Sequence, residues 1–269
     1  MKNIFIILFL LIFSFKGDAQ EANLVSEYTT KESKTTSYSE GEWLKFRVHY
    51  GIFNAGYATL KLKQSEIDGQ KLYHAVGKGW TVGAAKLFYN IEDEYESHFT
   101  KDKLVKPIKF KRRVDEGGYI IKRDMYFNHV RKTVKIDDLK NKEKTEMSIG
   151  DVQDLVSSFY HLRNYNLDTI KVGDEIQINL FFDKENYPFK LKFLKKEILK
   201  TKFGKIKTWK IRPLVQKGRV FEGQESLTIW ISNDENKIPL RIKASLAVGS
   251  LKVDLQEYKG LAAPFSKVE

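Results

Sequence analysis

Apolar and polar residues alternate along this chain in short runs. Leu44, Phe46, Val48 and Tyr50 are separated by Lys45, Arg47 and His49, and Ala58, Leu60 and Leu62 by Thr59 and Lys61. A period of two sends successive side chains to opposite faces, so each run reads as a strand with one buried face and one wet face. Turn residues punctuate the runs: Asp68-Gly69, Asp115-Glu116-Gly117-Gly118, Asn128-His129, the cluster Ser232–Asn236, and Gly249-Ser250. Asp-Gly is a strong hairpin signal, and Ala55-Gly56 suits a bend or bulge between strands. Further strands are expected over Leu72–Val76, Lys109–Val114, Tyr119–Phe127 and Val130–Ile136, the last with Val130, Val134 and Ile136 on one side. Near the end of the chain, Leu227–Ile231, Ile238–Ile242, Ala244–Val248 and Leu251–Leu255 complete the set. Turns about 8–12 residues apart favour a sandwich or barrel over alternating βαβ units. The expected fold is mainly β, a large antiparallel sheet curved into an open barrel or sandwich.

One segment departs from this period. Val152, Leu155, Val156, Phe159 and Tyr160 follow the helical i, i+3, i+4, i+7, i+8 spacing, which predicts one amphipathic helix near 151–163. Asp151 is the expected N-cap, Asp154 adds a favourable charge in the first turn, and the helix is expected to end near Arg163-Asn164. A lone helix among strands packs across a sheet or plugs an open barrel. If a cavity lies beneath it, Val152, Leu155, Val156 and Phe159 would line it for a lipidic or amphipathic ligand, and Arg163 would meet an anionic headgroup. The competing reading is structural, because a buried arginine demands a carboxylate partner.

The N-terminus reads as a secretory signal peptide, residues 1–19. Lys2 gives a positive start, Ile4 to Phe15 is almost wholly apolar, and Gly17 and Ala19 supply small residues for cleavage after Ala19. An apolar run of about 12 residues falls short of the roughly 20 that span a bilayer. Residues 20–38, polar and without a period, are expected to be a flexible leader. A single β-rich domain over 39–262 and a C-terminal tail over 263–269 complete the division. Because the chain has no cysteine, disulfides, thiolate catalysis, zinc–cysteine sites and iron–sulfur clusters are excluded. A net charge of +12 would raise nucleic acid as a partner, but Lys and Arg are dispersed and the chain is exported. An anionic membrane surface or a polysaccharide outside the cytoplasm suits the excess charge better, and a plain solvated surface suits it better than either; an envelope protein is a further candidate partner.

No catalytic signature is present. The nucleophile elbow Gly-x-Ser-x-Gly and the phosphate-cradling Walker loop are missing, and Gly77, Gly79 and Gly83 do not have dinucleotide spacing. Along a strand from Ile91 to Phe99, Glu92, Glu94, Glu96 and His98 share one face. They are either potential ligands of a divalent ion, an acid–base pair for glycoside chemistry, or a solvated face whose other side buries Ile91, Tyr95 and Phe99. Trp43, Trp80, Trp209 and Trp230 read as core or cavity lining. No catalytic residue, metal ligand or cofactor is assigned, and the expectation is a non-enzymatic protein.

Three stretches carry a resemblance: Gly41-Glu42-x-Leu44-x-Phe46 with Tyr50-Gly51 and Ala55-Gly56-x-Ala58-x-Leu60, then Asp154 to Arg163, then Trp230 to Ile242. In this order they resemble the secreted bacterial family called domain of unknown function 3108, over roughly residues 39–260. The resemblance implies export to the periplasm or outer-membrane periphery of a Gram-negative bacterium, and brings no activity or catalytic residue with it. By architectural analogy to periplasmic lipoprotein carriers, it makes a cavity for a lipidic or amphipathic ligand the leading expectation. An assembly factor acting through protein contacts, with a filled core, is the alternative, and a glycan-active envelope hydrolase the second.

Overall fold

The computed structural model describes residues 37–214, 227–246 and 249–268. Eight strands follow one another as hairpins: β1 (Trp43–Tyr50), β2 (Phe53–Ile67), β3 (Gln70–Thr81), β4 (Glu92–Thr100), β5 (Pro107–Glu116), β6 (Tyr119–Asn128), β7 (Thr133–Asp138) and β8 (Glu143–Ser148). A short helix, α1 (Gly83–Phe88), interrupts the connection from β3 to β4, and a second, α2 (Leu155–Arg163), follows β8. The chain then returns through β9 (Glu175–Phe182), β10 (Glu185–Thr201), β11 (Gly204–Pro213), β12 (Leu227–Ser232), β13 (Pro239–Ser245) and β14 (Ser250–Lys259). β14 pairs antiparallel with β1, so the two runs join into one sheet ordered β8-β7-β6-β5-β4-β3-β2-β1-β14-β13-β12-β11-β10-β9. The short β15 (Lys267–Val268) adds to β11.

The sheet is not closed: β8 and β9 are its two ends. It curves nonetheless, because α2 packs on β3 and β4 and also on β9. Arg112 of β5 and Arg123 of β6 both reach Asp183, in the turn after β9, at 2.5 and 3.1 Å. Gln153, just before α2, docks on the free edge of β9: its N–H donates to Asn179 O and its carbonyl accepts from Phe181 N, both at 2.8 Å. An open barrel, rather than a sandwich, is the outcome.

Local chemistry accounts for the turns. Asp68 and Gly69 both take positive φ, 50° and 78°, which matches the right-handed twist of β2 and β3 in a two-residue hairpin. The pairing of β1 with β2 slips between Val48 and His49, leaving Ala55 as the extra residue of a bulge. A Cβ at Gly56 would lie 2.4 Å from the Trp80 carbonyl oxygen, so only glycine fits there.

Several expected boundaries move. The helix begins at Leu155, not near 151, and its N-cap is Asp154 rather than Asp151. Asp154 wins because its carboxylate accepts from Val156 N and Ser157 N at 2.7 Å while Ser157 Oγ accepts the Asp154 N–H. The segment before it is held extended by the bond to β9. α1 was not expected; its six residues are too few to show a helical period. Ser37 and Tyr38, assigned to the flexible leader, are buried, Tyr38 in the core between Tyr73 and Tyr160. The tail over 263–269 is docked through Phe265 and β15, at least to Val268. Val130 does not share the buried face of Val134 and Ile136, because β7 starts only at Thr133 and leaves it 95% exposed in a turn. Residues 239–245 form one strand where Ile238–Ile242 and Ala244–Val248 suggested two, and positions 247 and 248 lie outside the described residues, as does the signal peptide.

Candidate functional site

Two regions compete for the functional role: the interior around α2 and the end of the barrel that carries α1. In the interior, Val152, Leu155 and Val156 are buried in the main core with residues of β2 to β7 and β9 to β11. Phe159 is half-buried and packs against this core and a second cluster around Leu44, Ile238 and Leu255. Surface depressions of about 320 and 180 Å³ occur, lined by residues such as Arg47, Lys202 and Arg241 in one and Tyr126, Arg131 and Glu146 in the other. Neither touches α2. Among the described residues, Val152, Leu155 and Val156 pack directly against side chains of the sheet.

Arg163 is committed internally. Its guanidinium grips Glu42 with two bonds, Nη1 to Oε1 at 2.6 Å and Nη2 to Oε2 at 2.7 Å. Nε donates to Asn236 O and Nη2 also to Ser37 O, both at 2.8 Å. Tyr38, Phe159 and Tyr160 surround it, with ring centroids 5.1–5.7 Å from its Cζ. Both ends of the pair are at most 2% exposed. The buried arginine therefore has the carboxylate it requires, and the headgroup role expected for it has no vacancy. Asn236 in turn clamps the C-terminal segment, donating from Nδ2 to Ala263 O and accepting the Ala263 N–H.

At the foot of the helix, Ser97 donates to Asp154 at 2.5 Å, tying α2 to β4. Burial pushes the Asp154 carboxyl up to about 6 despite these bonds. Burial also lowers His161, to about 4. A buried acid pair, Asp93 of β4 and Glu116 of β5, lies beside Arg112. Burial raises both carboxyls, and repulsion by Asp93 raises Glu116 further, to about 8. Sequence reasoning missed this pair because it needs the β4–β5 register. It has the chemistry of a general acid, yet neither depression opens onto it.

The α1 end is different. Antiparallel order brings the β1–β2 turn, α1, the β5–β6 and β7–β8 turns and the β9–β10 turn to the same end. Ile52 and Phe53 are 86% and 71% exposed, and Leu87 and Phe88 are 87% and 88% exposed. These two tips are neighbours: Val82 N donates to Ala55 O, and Ala85 packs on the small cluster of Val48, Ala55 and Leu251. Tyr119 and Leu139 add half-exposed apolar surface at the same end, with Lys86, Lys140 and Lys142 among them. Of the face expected on β4, Glu92 pairs with Lys86 and Glu94 with Lys78, while Glu96 and His98 meet His74 instead. Ile91, Tyr95 and Phe99 fill the opposite face, as the solvated-face alternative anticipated.

The convergence of Glu42, Arg163 and Asn236 joins the three stretches that carry the family resemblance. The family model described as protein of unknown function (DUF3108) matches residues 45–256. This chain belongs to that family. No curated protein matches it. Among solved structures, a beta-barrel-like protein of domain of unknown function DUF1849 from Brucella abortus is 10% identical, with a TM-score of 0.53 over 84% of this chain and 100% of that one. That likeness speaks for the fold alone. A chain from Bacteroides fragilis provisionally described as exported, with a YmcC-like fold, is 9% identical over 83% of this chain and 98% of its own, at TM-score 0.32. One from Parabacteroides distasonis provisionally described as a lipoprotein is 13% identical over 83% and 97%, at 0.31. Neither score carries an argument for this DUF3108 chain.

Proposed function

We propose that this DUF3108 protein is an exported, non-enzymatic envelope protein that binds a lipidic surface with the α1 end of its barrel. The observation that carries this reading is the pair of neighbouring tips, Ile52-Phe53 and Leu87-Phe88, whose large apolar side chains project into water. Such side chains gain about 1.5–3 kcal/mol each when fully buried, which is a strong reason for them to have a partner. A net charge of +12 favours an anionic membrane over a neutral one. The lipidic ligand expected from the sequence is kept, but moved from an internal cavity to the barrel's end, because Val152, Leu155 and Val156 pack directly against side chains of the sheet. Assembly through the sheet edges is the weaker reading: β8 carries Glu143, Lys144 and Glu146, and charged edge strands resist added strands.

Flotation with vesicles of phosphatidylethanolamine and phosphatidylglycerol tests the proposal. The native chain is expected to float with them, and less with vesicles of phosphatidylcholine alone. Combined Ile52→Ser, Phe53→Ser, Leu87→Ser and Phe88→Ser substitutions should weaken binding more than about tenfold, since each removes a group worth more than about 1 kcal/mol in lipid. Equal flotation of the variant, or none by the native chain, would remove the proposal.

A further inference from the structure

One cluster belongs neither to the interior nor to the α1 end. On the outer face of the sheet, His74 of β3 and His98 of β4 stand directly opposite in register. Their rings stack with centroids 4.1 Å apart and planes 7° from parallel. Glu96, two residues before His98 on the same face, places Oε2 2.8 Å from His74 Nε2. One nitrogen from each ring and one carboxylate oxygen lie within 4.8 Å of one another, the only such set of three among the described residues. All three residues are half-buried, so solvent and a dissolved ion can reach them without opening the fold.

The geometry points to a zinc site formed by His74, Glu96 and His98. The donor set is two imidazoles and one carboxylate, half-buried so that water can supply a fourth ligand, which suits borderline Zn²⁺. Hard Ca²⁺ and Mg²⁺ require more oxygen donors than this face offers. The ligand backbones sit on adjacent paired strands, so the sheet fixes their spacing, and the stacked rings turn about their side-chain bonds to aim one nitrogen each at the ion. Ser65 Oγ lies 3.0 Å from His98 Nδ1, an outer contact that occupies this nitrogen and leaves Nε2 for the ion. On binding, His74 Nε2 exchanges its contact with Glu96 for the metal, and any proton held between them leaves to solvent. Lys111 opposes the ion: its Nζ is 3.2 Å from Glu96 Oε1. The site is thus built for modest affinity, with Lys111 as a competing cation. It stands independently of the lipid-docking proposal.

Isothermal titration of Zn²⁺ into the chelator-stripped chain tests it, with circular dichroism confirming that each variant is folded. The native chain is expected to bind one ion, and Ca²⁺ to give no comparable heat. His74→Gln and His98→Gln should each weaken binding by more than about tenfold, beyond the low end of what losing an outer-shell contact costs. His49→Gln, a histidine paired with Asp254 elsewhere on the sheet, should leave it unchanged. Lys111→Met should tighten it. No heat from the native chain, or an unchanged isotherm in the folded His74→Gln/His98→Gln double variant, would overturn the site. A Lys111→Met chain that binds no more tightly would remove Glu96 from the ligand set.

Discussion

The barrel's interior and its α1 end use apolar and charged residues in opposite ways. Around Arg163 every demand is met from within: a bidentate carboxylate, two carbonyls and three aromatic rings enclose one guanidinium. At the other region Ile52, Phe53, Leu87 and Phe88 are left facing water, on tips that the interior hydrogen bonds do not restrain. Parts of all three stretches that carry the resemblance, at Glu42, Arg163 and Asn236, meet in the first region, while Tyr50-Gly51 and Ala55-Gly56 lie toward the second. The three residues in the first region fasten the helix, the start of β1, the β12–β13 turn and the C-terminal segment to one another.

The largest expected effect breaks the interior. Arg163→Ala strands the buried Glu42 carboxylate, and urea denaturation should register a loss of about 3–5 kcal/mol. Arg163→Lys should recover only part of it, because an ammonium cannot make the paired bonds to Glu42 and the bonds to Ser37 and Asn236 together. A stable Arg163→Ala chain would mean that the pair does not anchor α2 to the start of β1.

Next comes the buried acid pair. Glu116 is raised in the folded state, so between its ordinary carboxylate range and about pH 8 the folded chain holds a proton that the unfolded chain has released. This contribution makes stability fall as pH rises through that window. His161, lowered to about 4, acts oppositely between about pH 4 and 6.5, where the unfolded chain binds the extra proton. Glu116→Gln should therefore gain on the native chain by about 1–3 kcal/mol at pH 8, and by less at pH 5. Urea unfolding at the two pH values checks this; an equal effect at both would contradict the raised Glu116 carboxyl.

Smallest in stability is the α1 end. Leu87→Ser with Phe88→Ser should change unfolding free energy by no more than about 0.5 kcal/mol, as exposed substitutions do, while reducing vesicle binding. A cooperative loss of several kcal/mol would place these side chains in a core and erase the contrast between the two regions.

Much of the fold was legible because alternation and turns are local. Asp68-Gly69 gave its hairpin and Ala55-Gly56 its bulge, and the helical spacing from Leu155 to Tyr160 was real, though Val152 lies before the helix and Asp154 displaced Asp151 as its cap. The requirement of Arg163 for a carboxylate was also legible, but not that Glu42, 121 positions away, supplies it. The same limit hid Asp93–Glu116 and His74–His98, which exist only once strand register is fixed. α1 and its exposed Leu87-Phe88 carry no period, so nothing local distinguished them from a buried turn.

The absence of cysteine from the sequence permits a direct test of the central claim, that the α1 end is the lipid-facing one. Single Phe88→Cys and Val130→Cys chains, each labelled with an environment-sensitive fluorophore, report on opposite ends of the barrel. On addition of vesicles containing phosphatidylglycerol, the label at 88 should shift to the blue and gain intensity while the label at 130 stays unchanged. A shift at 130 with none at 88, or equal shifts at both, would contradict it.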